Sequence, residues 1–137
     1  MQSKTLSIIT VGYNNYEDII NTLNSIESQK NKPYENILIL KGLDEEKKNK
    51  LLKKYNCSYR KFYFDMDSSI FNAMNIGIKK ASGKYIFFLN SGDVFFSNNS
   101  IKSIIDQIIP NTNFNYSFKT LQKFEDLNIV RDNKIFK

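Results

Sequence analysis

Two acidic turns stand out among the residues able to do chemistry: Asp65-Met66-Asp67 and Asn90-Ser91-Gly92-Asp93. Each directly follows a strand-like segment, Tyr59 to Phe64 and the apolar run Ile86-Phe87-Phe88-Leu89 respectively. An acid on the turn after a buried strand is held by a rigid scaffold and faces the crevice where parallel sheets take ligands. That is where a hard divalent cation bridging a diphosphate would be held. Asp93 suits this role best, although an Asp after Gly also caps turns, and spacing alone leaves both readings open.

What is missing narrows the chemistry further. The 137 residues contain no His and one cysteine, Cys57, which excludes His-based zinc sites, Ser-His-Asp or Cys-His catalysis and a disulfide scaffold. Catalysis must therefore use carboxylates, amides, hydroxyls or lysines. Cys57, beside Lys53 and Lys54, is expected to pack or sit quietly at a helix end. The lone Cys, together with an N-terminal apolar run too short for a signal peptide, points to a reducing, cytoplasmic location. No run approaches the ~20 apolar residues of a membrane span.

The elements that must position these groups alternate. Residues 5–11 are a β-branched strand ending at Gly12-Tyr13-Asn14-Asn15. A helix follows, capped by Asn14 or Asn15, with Glu17 and Asp18 in its first turn and Ile19, Ile20, Leu23 and Ile26 at helical spacing. Asn36 to Leu40 form a second strand, Gly42 turns the chain, and a lysine-rich helix runs from about Asp44 to Tyr55, its lysines reading as a solvated face. The third strand, Tyr59 to Phe64, leads into a helix capped by Ser68 or Ser69, with Ile70, Met74, Ile78 and Ala81 on one stripe. Gly77 inside that helix suggests a close backbone approach, and Lys79, Lys80 and Gly83 suit its end. Lys84 to Leu89 reads as a strand buried on both faces, and a helix over 99–109 stops at Pro110. Beyond it Phe114, Tyr116 and Phe118 alternate, and Asp132-Asn133 could turn a hairpin between Ile129-Val130 and Ile135-Phe136.

This order predicts an α/β fold: a three-layer α/β/α sandwich around a mostly parallel, Rossmann-like nucleotide-binding sheet. Hydrophobic residues at 41% and aromatics at 14% give such a chain a core, and 137 residues fit a single domain. The net charge of +6 is almost all lysine. It favours a phosphate-bearing partner only weakly, and without an aromatic-basic motif no nucleic-acid partner is expected. A receiver domain of flavodoxin type is disfavoured because no acidic pair follows the first strand.

Three segments in order carry a resemblance: Leu6 to Asn15 (LSIITVGYNN), Asp67 to Ile78 (DSSIFNAMNIGI) and Ala81 to Asp93 (ASGKYIFFLNSGD). Together they resemble the successive motifs of family two glycosyltransferases with the GT-A fold, closest to the branch that builds capsular, exopolysaccharide or O-antigen sugars. The resemblance implies a transferase that moves a sugar from a nucleotide-diphospho-sugar donor to a glycan or lipid-linked acceptor, assisted by Mg2+ or Mn2+. It implies donor contacts at Thr10, Val11, Tyr13, Asn15 and Gly42, with Thr10 and Tyr13 at the base. Asp67, Asn72 and Asn75 would border the nucleotide and brace the acid loop. Asn90, Ser91 and Gly92 would stand at the family's Asp-x-Asp motif, with Asp93 as the metal carboxylate.

Two departures accompany it. Relatives usually carry an Asp after the second strand, where this chain offers only Asp44 or Glu45 in a shifted register. They also use a downstream general base, for which Asp126 in Glu125-Asp126 is the one candidate, a surface turn being the more expected reading. The expected organisation is a single GT-A-like domain over 1–137. Residues 1–110 would be the donor and metal half and 111–137 the start of an acceptor region cut short at its C-terminus. A non-catalytic nucleotide-sugar-binding remnant is the alternative. Peripheral association with the inner face of a membrane and a homodimer are the further partners this reading allows.

Overall fold

The computed structural model describes residues 5–66, 69–108, 120–124 and 127–131. The chain divides into two compact units, Met1–Lys102 and Ser103–Lys137. The division falls inside a helix.

The first unit is a parallel sheet of β1 (Leu6–Tyr13), β2 (Glu35–Lys41), β3 (Arg60–Phe64) and β4 (Tyr85–Phe88), in the order β3-β2-β1-β4. Helices α1 (Tyr16–Glu27), α2 (Glu45–Tyr55) and α3 (Ile70–Lys80) connect the strands, and α4 (Ser100–Gln107) follows β4. In register, Ile9 of β1 faces Ile37 on one side and Phe88 on the other, and Ile39 faces Tyr63.

Strand alternation sends successive side chains to opposite faces. Leu38 and Leu40 pack with Ile19 and Leu23 of α1 and with Leu51 and Tyr55 of α2. Ile9, Val11, Ile37 and Ile39 pack on the other face with Ala73 of α3. The chain thus steps from β1 to β2 to β3 with helices on one face, then crosses to β4 with α3 on the other. The direction of winding reverses beside β1, which is where such sheets open a crevice at their carboxyl ends.

Two local expectations are corrected and a third lies partly outside the described residues. α3 buries Ala73 and Gly77, not the Ile70–Ile78 stripe, and both of those isoleucines are exposed. The cause is contact distance: a Cβ on Gly77 would lie 2.5 Å from Ile9 Cγ2, so the helix meets β1 through its smallest residues. β4 is an edge of the described sheet, paired only with β1, and Ile86 is 40% exposed, so the strand is not buried on both faces. In the second unit β5 (Thr120–Phe124) pairs antiparallel with β6 (Leu127–Arg131), Phe124 opposite Leu127. Ile129-Val130 therefore pairs with Leu121 and Gln122, and the turn expected at Asp132-Asn133, with Ile135-Phe136 beyond it, lies outside the described residues.

Lys50, Lys53 and Lys54 of α2 are exposed as expected, with Lys50 on Glu46 at 2.7 Å, whereas the Lys48 side chain is largely buried against Asp65. Cys57 is half-buried just past that helix. No helix among the described residues is long and apolar enough to cross a membrane.

Candidate functional site

A cavity of about 480 Å3 opens at the carboxyl ends of the strands. Its walls are Val11, Gly12, Tyr13 and Asn15 after β1, Ile39, Leu40 and Lys41 of β2, and Met66 after β3. Ser69, Ile70 and Ala73 of α3 and Asn90 and Ser91 after β4 close it. The volume suits a nucleoside-sized ligand. The lining is mainly apolar, with amides, hydroxyls and Lys41 at a few points and no carboxylate among the described residues.

Three strand ends are stitched together beneath it. Asn14, at φ 47°, donates its N–H to Lys41 O at 2.8 Å. Asp65, at φ 54°, donates to Leu40 O at 2.8 Å. The Asp65 carboxylate accepts from Gly42 N–H at 3.3 Å and from Lys48 Nζ at 2.6 Å. The Lys48 hydrogen bond, aided by the Gly42 amide, holds the Asp65 carboxyl below the usual carboxylate range, and Lys48 is raised in turn by Asp65 and Glu45. Sequence reading looked for an acid after the second strand and considered Asp44 and Glu45. Asp44 instead caps α2, accepting from Lys47 N–H at 2.8 Å, and Glu45 pairs with Lys48. The acid on the second-strand turn arrives from β3 as Asp65. Its signal is its place as the first residue after the third strand.

The Asn90–Asp93 loop is fixed from two sides. Ser91 donates its N–H to Val11 O at 3.0 Å, and Asp93 N–H closes a turn on Asn90 O at 2.9 Å. Asn15 Nδ2 donates to Ser91 Oγ at 2.5 Å. That bond explains why Asn15, at the N-cap position of α1, makes no side-chain cap. Ser69 does cap α3, accepting from Asn72 N–H at 3.1 Å. Asn15 Oδ1 and Asn90 Oδ1 are buried and accept no hydrogen bond among the described residues. Buried acceptors left open are costly unless a ligand supplies donors, and both residues line the cavity.

Val11, Tyr13, Asn15, Asn90 and Ser91 thus converge on the cavity as the sequence implied. Gly42 turns the chain beside it with φ 78°. Thr10 does not reach it: strand alternation points its hydroxyl to the opposite face, where it lies 3.4 Å from Asn36 Nδ2 in full burial. Asn72 and Asn75 are exposed on α3, outside the lining. Asp67 and Asp126 lie outside the described residues. Gly92 and Asp93 follow Ser91 beyond the lining. Asp93 is solvent-accessible, yet the protein crowding its carboxyl raises its pKa, against a lowering hydrogen bond from the Asn90 backbone.

No group of three acidic, His or Cys side chains among the described residues could cage a metal ion. Mg2+ commonly binds through one or two carboxylates and completes its shell with phosphate oxygens and water. One accessible carboxylate at Asp93 fits that arrangement and does not fit a protein-only cage.

A parallel sheet whose winding reverses at a cavity, with an acid loop after the strand beyond the reversal, defines an α/β nucleotide-binding fold of the GT-A type. The family model of Glycosyl transferase family 2 matches residues 7–130. The chain belongs to glycosyl transferase family 2. An uncharacterized glycosyltransferase of Rickettsia bellii (strain RML369-C) is 31% identical over 127 residues, covering 92% of this chain and 18% of that protein. The crystal structure of S. aureus TarS 1-349 superposes with a TM-score of 0.63 at 21% identity, covering 74% of this chain and 31% of that one. The same TarS fragment in complex with UDP-GlcNAc gives a TM-score of 0.64 at 21% identity, over 74% and 30% of the two chains. The chain thus spans less than a third of the length of each of these relatives.

Proposed function

We propose that this chain is the donor-binding part of a glycosyltransferase that uses a nucleotide-diphospho-sugar. The observation that carries the reading is the cavity at the strand reversal, walled by Tyr13 and by two open amide carbonyls and adjoining the Asp93 loop. TarS, similar in fold, has been crystallised with UDP-GlcNAc and with UDP, which supports a nucleoside diphosphate as the ligand here. The exposed Tyr13 ring offers a face for the base, and Asn15, Asn90 and Ser91 supply polar side chains in the wall for ribose or sugar hydroxyls.

In the transfer, the bond between the anomeric carbon and the diphosphate oxygen breaks and a bond to the acceptor hydroxyl oxygen forms, with loss of that hydroxyl's proton. The main electrostatic demand is charge building on the departing diphosphate. Asp93 would hold Mg2+ or Mn2+, whose charge, when bound, offsets it. The Asn90–Asp93 turn keeps that carboxylate on a short, hydrogen-bonded loop, so little reorganisation is needed. The acceptor is read as a glycan or lipid-linked sugar of cell-surface polysaccharide assembly. The place of action is read as the cytoplasm or the inner membrane face, with residues 1–110 as the donor half of a GT-A domain.

Calorimetric titration with UDP, GDP and their sugars in the presence of Mn2+ tests this. Binding to the wild type that is weakened about tenfold or more in Asp93→Ala is expected; no binding, or identical binding by the variant, overturns it. The absence of a carboxylate from the described cavity lining favours one second reading, donor binding without turnover. Sugar transfer or donor hydrolysis that Asp93→Asn abolishes would decide against it.

A further inference from the structure

The residues from Leu89 to Asn99, between β4 and α4, form neither strand nor helix, yet they include the Asp93 loop. After Ser91 the sheet gives them no further backbone hydrogen bond. Their partners lie instead along α1. Asn15, Asp18, Thr22, Ser25 and Gln29, at intervals of three and four, share one side of that helix and its ends. Asn15 holds Ser91, and Asp18 O accepts from Gly92 N–H at 3.3 Å. Ser25 Oγ accepts from Phe95 N–H at 3.3 Å. Gln29 donates to Ser97 O at 2.6 Å and accepts from Ile101 N–H at 3.0 Å.

Thr22 is the centre of this row. Its hydroxyl is fully buried, accepts from Gly92 N–H at 2.9 Å and lies 2.8 Å from Asp93 O and 3.3 Å from Asn90 O. A hydroxyl has one proton to give, and the shorter contact makes Asp93 O its acceptor. One oxygen therefore fixes the Ser91–Gly92 peptide through Gly92 N–H and the Asp93–Val94 peptide through Asp93 O, which bracket Gly92 and Asp93 and set the direction in which the Asp93 side chain leaves the backbone. A β-branched residue gains nothing from helix propensity at this position. The hydroxyl is what the position uses.

We infer that Thr22 is a positioning residue for Asp93, and that the polar side of α1 ties the cavity wall at Asn15 to the acid loop. The functional half of this rests on the donor reading above; the structural half does not. Thr22→Val keeps the shape and removes the hydroxyl, and Thr22→Ser restores it.

Amide hydrogen exchange on the full chain without ligand should be at least about tenfold faster at Gly92 in Thr22→Val, the loss of roughly one hydrogen bond. Exchange at Ile9 should be unchanged, and Thr22→Ser should return Gly92 to within about twofold of wild type. Titrated with UDP, Thr22→Val should bind as wild type without Mn2+ and about tenfold more weakly with it, because only the Asp93-dependent part of binding is displaced. Unchanged Gly92 exchange in Thr22→Val overturns the inference. So does acceleration shared equally by Ile9 with no rescue by Ser, or a loss of UDP affinity that is the same with and without Mn2+. If the wild type ignores UDP altogether, the donor reading fails while the exchange comparison still decides the role of Thr22.

Discussion

Gly42→Ala is a perturbation whose size can be worked from the structure. Gly42 has φ 78° at the end of β2, a left-handed conformation that costs an L-residue roughly 1–2 kcal/mol. A Cβ there would lie 3.2 Å from Asn14 Cβ and 3.4 Å from both Asn14 N and Tyr13 Cε2. Asn14 cannot recede freely, because its N–H is bound to Lys41 O at 2.8 Å. Tyr13, 69% exposed, can swing away. Strain and crowding together, less the ~0.5 kcal/mol gained by restricting the unfolded chain, leave a net loss of about 1–2 kcal/mol. Gly42→Asn separates the two causes, since Asn tolerates the left-handed region but carries the same Cβ; it should lose about half as much. Urea unfolding gives both values as shifts in midpoint at constant slope. Because Tyr13 is the part that yields, UDP affinity should fall about two- to fivefold in both variants. A Gly42→Ala protein as stable as wild type, or an Asn variant less stable than the Ala variant, would show that backbone conformation is not what glycine supplies there.

Two further predictions concern the scaffold. Glu35, 4% exposed at the start of β2, accepts from Ser7 Oγ at 2.7 Å and from the N–H groups of Ser82 at 2.5 Å and Gly83 at 3.2 Å. Burial would raise its pKa, but these hydrogen bonds together outweigh it and the pKa is lowered below 4.5. A lowered folded-state pKa gives stability that is fully present above the unfolded value and lost as pH falls through the folded one. Glu35→Ala should therefore cost about 2–4 kcal/mol near neutrality, with the gap to wild type narrowing below about pH 4 in urea melts; a gap that widens in acid refutes this. Gly77→Ala forces a methyl against Ile9 and should destabilise by about 1–2 kcal/mol despite alanine's better helix propensity. Ile9→Leu removes the clashing branch, so the double variant should recover about 1 kcal/mol of the summed losses in a thermodynamic cycle.

Strand and helix order was legible because the β-branched runs and the 3.6-residue returns of Ile19, Leu23 and Ile26 are local signals. Which face of α3 is buried was not, because apolarity at Ile70 and Ile78 competes with the close approach that Ala73 and Gly77 permit, and the latter depends on Ile9 some seventy residues away. The glycine itself was the correct hint. β4 differs from the reading because four apolar letters look the same in a central strand and in a strand that, among the described residues, pairs on one side only. At the site, the convergence of Val11, Tyr13, Asn15, Asn90 and Ser91 follows from strand ends meeting at a winding reversal, which sequence order does predict. Thr10 was misplaced by one step of strand alternation. Asp65 stands out in sequence as a strand-end acid, but its place on the second-strand turn is not legible there because its partner, Gly42, belongs to a neighbouring strand.

The same contrast bears on α1. Its polar residues at 15, 18, 22, 25 and 29 lie at the spacing of an ordinary solvated face, and sequence alone gives no reason to read them otherwise. Burial decides: Thr22 and Gln29 are as enclosed as the leucines across the helix, with their hydrogen-bonding groups turned onto residues 90–101. A helix with an apolar side on the sheet and a polar side on an irregular segment can place that segment without giving it a sheet or a core of its own. On the donor reading proposed above, the Asp93 loop would need a fixed position with an accessible carboxylate, and hydrogen bonds from a rigid helix meet that need while leaving the side chain open. An apolar anchor would have required burying the acid's neighbours, and with them the groups meant to face the diphosphate.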